Sequence, residues 1–203
     1  MLPDSTVFTV GHSTHPLDHL VDLLRLHAID GVADVRSTPY SRMPPHFNRE
    51  AIRDSLKKLG FAYVYLGKEL GARSDNPSCY DNGRVNFDRL STTELFQHGI
   101  QRVRAGSEKH RITLLCAEKE PLDCHRTLLV SRELVRLGTP VTHIHADGLL
   151  ETQEAAMRRL LGQLGLPEQD LFRGLPEMIE GAYAKQALRI AYVDKERSTG
   201  ATE

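Results

Sequence analysis

The feature that most constrains this chain is an alternation, over its first 150 residues, of short apolar runs with segments of helical period. Thr6-Val7-Phe8-Thr9-Val10 reads as a strand that stops at Gly11. Pro16 then opens a helix with Leu17, Leu20, Val21, Leu24 and Ala28 on one face. The unit recurs. A strand over 32–35 precedes a proline-containing loop and a helix capped by Asn48, which carries Ile52, Leu56 and Leu59 and stops at Gly60. A third strand spans 61–66, and residues 67–86 read as one long polar loop. A helix over about 88–104 leads to a fourth strand over 112–116. Asp123 is placed to cap a helix reaching Leu137, before a fifth strand over 141–145. Helices over 151–164 and near 177–190 complete the reading.

Repeated strand–helix units predict a mostly parallel sheet with helices on both faces. The strands are short and apolar, as strands covered on both faces should be. The expected fold class is therefore α/β, a single three-layer domain with about five strands and a helical C-terminal extension; an eight-unit barrel needs more units than fit. Residues 1–150 form the expected core domain, carrying the site, and 151–203 an extension packed on it with a frayed end.

Composition narrows the function classes. Twenty-six basic against 27 acidic side chains leave a net charge of -1, which argues against a generic polyanion binder. An apolar content of 40% supports a core without disulfides or metal. No apolar run has membrane-spanning length, and the start lacks the basic and apolar blocks of a signal peptide. Three cysteines fit free thiols in a reducing cytoplasm, so a cytoplasmic protein is expected.

In a parallel sheet, ligands bind outside the carboxyl ends of the strands. Every such end here is reactive or polar: Gly11-His12-Ser13 after the first, Asp34-Val35-Arg36 at the second, Gly67 to Ser74 after the third, Cys116 to Arg126 after the fourth, and His145 to Gly148 after the fifth. Cys124, His125 and Arg126 fall where a helix begins, and unpaired N–H groups there favour a thiolate or a bound anion. Cys124 and Cys116 are the candidate nucleophiles, His12 and His125 the candidate acid–base groups, and Asp34 the residue that would orient one of them. Arg36, Arg42 and Arg126, with Ser13 and Asp147, are the candidate substrate contacts, the arginines by forking onto phosphate or carboxylate. The plainer alternatives are a small buried cysteine at 124, a structural ion pair at Arg126 and a core cysteine at 116. Cys116 and Cys124 lie eight positions apart, not at the short spacing of structural zinc sites, so no metal and no cofactor is expected.

Val10-Gly11-His12-Ser13, Asp34-Val35-Arg36-Ser37 with Pro39-Tyr40-Ser41-Arg42, Leu66-Gly67 to Leu70-Gly71, Cys116-Ala117-Glu118 to Cys124-His125-Arg126, and His143 to Gly148 together resemble the domain of unknown function 488 family. The resemblance runs over about residues 7–148. It implies a small α/β protein and points to the same residues, and it brings no reaction with it. The leading expectation is an enzyme acting on a phosphorylated, nucleotide-like or nucleic-acid substrate. A nucleotide or nucleic-acid binding module without turnover, and a thiol-redox or metal-linked protein, stand beside it.

Overall fold

The structure is a computed structural model that describes residues 5–40 and 45–198. Among the described residues eight strands occur in chain order: β1 (Val7–Gly11), β2 (Gly31–Asp34), β3 (Ala62–Tyr65), β4 (Tyr80–Asp81), β5 (Arg84–Val85), β6 (Ile112–Cys116), β7 (Val141–Ile144) and β8 (Leu150–Thr152). The main sheet has the order β3-β2-β6-β1-β7-β8. Its first five members are parallel and β8 runs antiparallel to β7. The expected α/β fold with a mostly parallel sheet is what forms; the main sheet has six strands against about five expected, and β4 and β5 form a separate hairpin.

The helices are α1 (Leu17–Leu26), α2 (Arg49–Lys58), α3 (Gly67–Leu70), α4 (Phe87–Ser91), α5 (Glu94–Ser107), α6 (Arg132–Arg136), α7 (Gln153–Gln163) and α8 (Leu175–Ile190). Two cores sandwich the sheet. Phe8, Val10, Val32 and Leu115 meet α1 and α2 through Leu20, Leu24, Ile52 and Leu56. Val7, Ala33, Ile112 and Leu114 meet α5, α7 and α8 on the other face. Strand alternation explains the split, since neighbours along a strand point to opposite faces.

Four local differences from the sequence reading have clear causes. Thr93 accepts from the Phe96 N–H at 3.3 Å and starts a new helix, so the single helix over 88–104 is two. Its Gly99 is needed because an added Cβ would sit 2.7 Å from Glu69 and 2.8 Å from Leu70. The loop over 67–86 holds α3 and a hairpin, whose Asn82 and Gly83 both have positive φ (47° and 78°), the backbone of a tight hairpin turn. Leu150-Glu151-Thr152 form β8, and the helix expected from residue 151 starts after Thr152, whose hydroxyl caps Ala155. Finally, Asp123 caps nothing. It ends a 3-10 turn (Pro121–Asp123), and Cys124, with extended backbone, precedes a π-helical stretch (Arg126–Ser131) that runs straight into α6.

The order of the sheet locates the site. From β1 the chain crosses to β2 through α1, and from β6 it crosses to β7 past β1 through α6. Right-handed crossovers in opposite directions put their helices on opposite faces. The carboxyl ends of β1 and β6, which are neighbours, therefore flank the switch point where such sheets bind ligands.

Candidate functional site

Gly11 at the end of β1 pairs with Cys116 at the end of β6. The loop after β6 then folds back across β1: His12 N–H donates to the Cys116 carbonyl at 3.0 Å and Ser13 N–H to the Ala117 carbonyl at 2.9 Å. This crossing demands glycine, since a Cβ on Gly11 would lie 1.8 Å from the Glu118 carbonyl oxygen.

Cys116 shares a strand face with Ile112 and Leu114, the face that carries the helix after Cys124. The thiols of Cys116 and Cys124 consequently meet there, 2.9 and 3.0 Å from one carboxylate oxygen of Glu118. His125 joins them: its Nε2 donates to the Val35 carbonyl at 3.0 Å, so Nδ1 faces the two sulfurs at 3.6 and 3.9 Å. The donor atoms of Cys116, Glu118, Cys124 and His125 all lie within 4.8 Å of one another. Both cysteines and His125 are buried, whereas Glu118 reaches solvent.

The four groups set one another's protonation. Burial pushes the Cys116 thiol well up, and its hydrogen bond to Cys124 and the Glu118 charge add to this. Burial works against a Cys124 thiolate too. There the Cys116 hydrogen bond, the Arg126 charge and His125 outweigh it and bring the thiol down to about 6. The Arg126 backbone N–H also points at Cys124 Sγ from 3.4 Å, as a helix-cap donor would. For Glu118, hydrogen bonds from the two thiols overcome burial and hold the carboxyl at about 2. His125 is raised, because the Cys124 contact exceeds the cost of burying an imidazolium.

A second cluster occupies the other face of the same sheet edge. Asp34 is fully buried and takes a two-pronged ion pair from Arg36, at 2.8 and 2.6 Å, plus the Tyr63 hydroxyl at 2.8 Å. Arg36 also donates to the Phe47 carbonyl at 2.8 Å and to His12 Nε2 at 3.1 Å. His12 Nδ1 donates to the Ser13 carbonyl at 2.7 Å, and its ring stacks on Phe47 with centroids 4.0 Å apart. Burial and the adjacent Arg36 charge lower His12 to about 4, so it is neutral near pH 7. Asp34 is thus linked to His12 through Arg36.

The two clusters meet at a pocket of about 410 Å³, lined by His12, Ser13, Arg36, Phe47, Glu118 and Lys119 among others. Two expected substrate contacts, Arg126 and Asp147, do not line it. Arg126 is completely buried, and its guanidinium donates to the Glu118 carbonyl at 2.6 Å, the Lys119 carbonyl at 3.3 Å and the Thr9 hydroxyl at 3.3 Å. It holds the loop over β1. Arg36 lines the pocket with its donors directed at Asp34, Phe47 and His12. Asp147 is exposed and accepts from the Leu149 N–H at 3.0 Å in the turn between β7 and β8. Arg42 lies outside the described residues. Cys79, within the span 67–86 that reads as a polar loop, is fully buried in the larger core. Glu118 is the residue that sequence reasoning passed over; the Cys116-Ala117-Glu118 spacing, two positions along an alternating chain, was its signal.

Behind the first cluster, His143 bridges Thr9 and Gln153 at 2.8 and 2.7 Å, and Gln153 reaches the Tyr183 hydroxyl of α8 at 2.7 Å. This buried relay ties the last helix to the sheet beneath Arg126. A larger cavity of about 960 Å³ lies beside Val141 and Tyr183, and none of the candidate residues lines it.

With this geometry in place, comparison with known families is decisive on one point. The family profile described as domain of unknown function DUF488 matches residues 16–132, more than half of the chain. The chain belongs to this family. The family's matched span holds Asp34, Arg36, Cys116, Glu118, Cys124 and His125, while Gly11, His12 and the segment from His143 to Gly148 fall outside it, a narrower overlap than the motif resemblance suggested. No curated protein and no solved structure matches the chain. No helix among the described residues is long and apolar enough to cross a membrane.

Proposed function

We propose that this protein is an enzyme that turns over a small polar substrate in the pocket at the carboxyl ends of β1, β2 and β6, with the sulfur, carboxylate and imidazole cluster as its reaction centre. The observation that carries this is the double position of Glu118. It lines the pocket and, through one oxygen, touches both buried thiols. A carboxylate so placed, ionised near neutral pH, can accept a hydrogen bond or a proton from a bound molecule beside the cluster, the task of a general base. His12 and Arg36 wall the opposite side, oriented by Asp34 and Tyr63.

The substrate class expected from sequence, a phosphate-bearing one, draws less support from this geometry. Arg126 spends its guanidinium on main-chain carbonyls and Thr9, and Arg36 spends most of its donors on Asp34, Phe47 and His12. Lys119 remains as a pocket-lining cation. A small uncharged or singly charged polar molecule suits the pocket better than a polyphosphate.

The test is a turnover screen of esters, amides, nucleosides and phosphorylated compounds with the wild type, Glu118→Gln and Cys124→Ser. Turnover that falls at least about a hundredfold in both variants supports the reading. A compound bound with the same affinity by all three proteins and converted by none identifies a binding module instead.

A further inference from the structure

We infer that Cys116, Cys124 and His125 bind a zinc-class divalent cation, with Glu118 as the exchangeable fourth donor on the pocket side. The inference deepens the enzyme reading by naming what the reaction centre holds.

The donor set is the first argument. Two sulfurs, one imidazole nitrogen and one carboxylate oxygen converge from a strand end, a loop and a helix start. Thiolates with imidazole select zinc and its borderline-soft neighbours over magnesium or calcium, which take oxygen donors. Geometry is the second. A tetrahedral ion with sulfur at about 2.3 Å and nitrogen at about 2.0 Å sets sulfur–nitrogen edges of about 3.5 Å. The imidazole Nδ1 stands 3.6 and 3.9 Å from the two sulfurs. The carboxylate oxygen, at 2.9 and 3.0 Å from them, is closer than such an edge and has to withdraw by roughly half an ångström. It has room to do so, because Glu118 reaches solvent and lines the pocket.

Surroundings make the third argument. A metal-bound histidine almost always donates its other ring N–H to a carbonyl or carboxylate. His125 does this to Val35, leaving Nδ1 as the nitrogen turned toward the sulfurs. Two thiolates and a carboxylate exceed a dication by one negative charge, and the buried Arg126 guanidinium, bonded to the Glu118 carbonyl, supplies the positive one. Its backbone N–H points at Cys124 Sγ, where it supports a thiolate ligand. Eight positions separate the cysteines in sequence, yet the 3-10 turn at Pro121–Asp123 folds the chain back so that they meet. The three protein ligands from the interior and one displaceable donor facing a pocket match an open centre more than a closed structural one.

The experiment is a cobalt titration of the full chain, reduced and stripped with a chelator, followed by displacement with zinc. One equivalent of cobalt should saturate a sulfur-to-cobalt charge-transfer band together with the strong visible absorption of four-coordinate cobalt, and zinc should abolish both. Cys116→Ser and Cys124→Ser should each weaken binding at least tenfold, and Cys79→Ser should leave it unchanged. Glu118→Gln should keep the charge-transfer band and change the visible bands. Circular dichroism of each metal-free variant shows whether it has folded, and the wild-type titration stands without any of them. Absence of a saturable band in the wild type, or a band that survives in the Cys116→Ser/Cys124→Ser double variant, overturns the inference. Turnover that persists after exhaustive chelation also overturns it while leaving the enzyme reading intact; a saturable cobalt centre in a protein that converts no compound does the reverse.

Discussion

The Nε2 of His125 donates to the carbonyl of Val35 at 3.0 Å, across 90 positions of sequence. That bond fixes which imidazole nitrogen faces Cys116 and Cys124, and it ties the end of β2 to the start of the helix after β6. His125→Phe keeps a ring in the space but loses both nitrogens. It should leave the Val35 carbonyl without its partner, costing about 1–3 kcal/mol in urea unfolding, and it should abolish tight cobalt binding.

Thiol reactivity in the metal-free protein should be graded. Cys124, brought down to about 6, should alkylate first, and Cys116, pushed well up, later. Cys79, fully buried in the larger core, should label only on unfolding. Peptide mass spectrometry after timed alkylation reads the order, and early labelling of Cys79 would contradict the packing described for it.

Arg126 holds the loop after β6 through the Glu118 and Lys119 carbonyls. Arg126→Ala leaves the Glu118 and Lys119 carbonyls without their donor, so it should lower unfolding stability on the order of 3 kcal/mol. Gly11→Ala should be worse tolerated, because its Cβ cannot occupy a point 1.8 Å from the Glu118 carbonyl oxygen without moving the loop. Intact stability in both variants would show that the loop is not held as described.

His143 should contribute a loss of stability in mild acid. Burial and the Arg126 charge lower His143 to about 4 from an ordinary 6.5. Between those values the unfolded chain binds a proton that the folded chain refuses, so stability decreases as pH falls through this window and levels off below about 4. The full effect is on the order of 3 kcal/mol. His12, lowered to about 4, adds a slope of the same sign. His143→Gln should flatten part of the slope in urea unfolding measured across the window; an unchanged slope would remove His143 as a source.

Much of this was legible in the sequence. Periodicity located the five parallel strands because each is a short apolar run bounded by turn residues. Strand alternation, a signal present and unused, puts Cys116 on the face of Ile112 and Leu114, which lie in one core. Other signals were present and unused: Asn82-Gly83 for the hairpin, and Thr93 and Thr152 as helix caps. What sequence could not supply was the partner of each polar group. Arg126 reads as an anion receptor until the loop from Ala117 to Glu120 folds back over Gly11 and presents it with carbonyls. The same fold-back brings Cys124 to Cys116, so a cluster that no local spacing announces depends on one glycine and one 3-10 turn.

The most direct test of the account is X-ray absorption at the zinc edge on the zinc-loaded protein. The account predicts two sulfur neighbours at about 2.3 Å and two nitrogen or oxygen neighbours at about 2.0–2.2 Å. A shell made only of nitrogen and oxygen, with no sulfur, would contradict it.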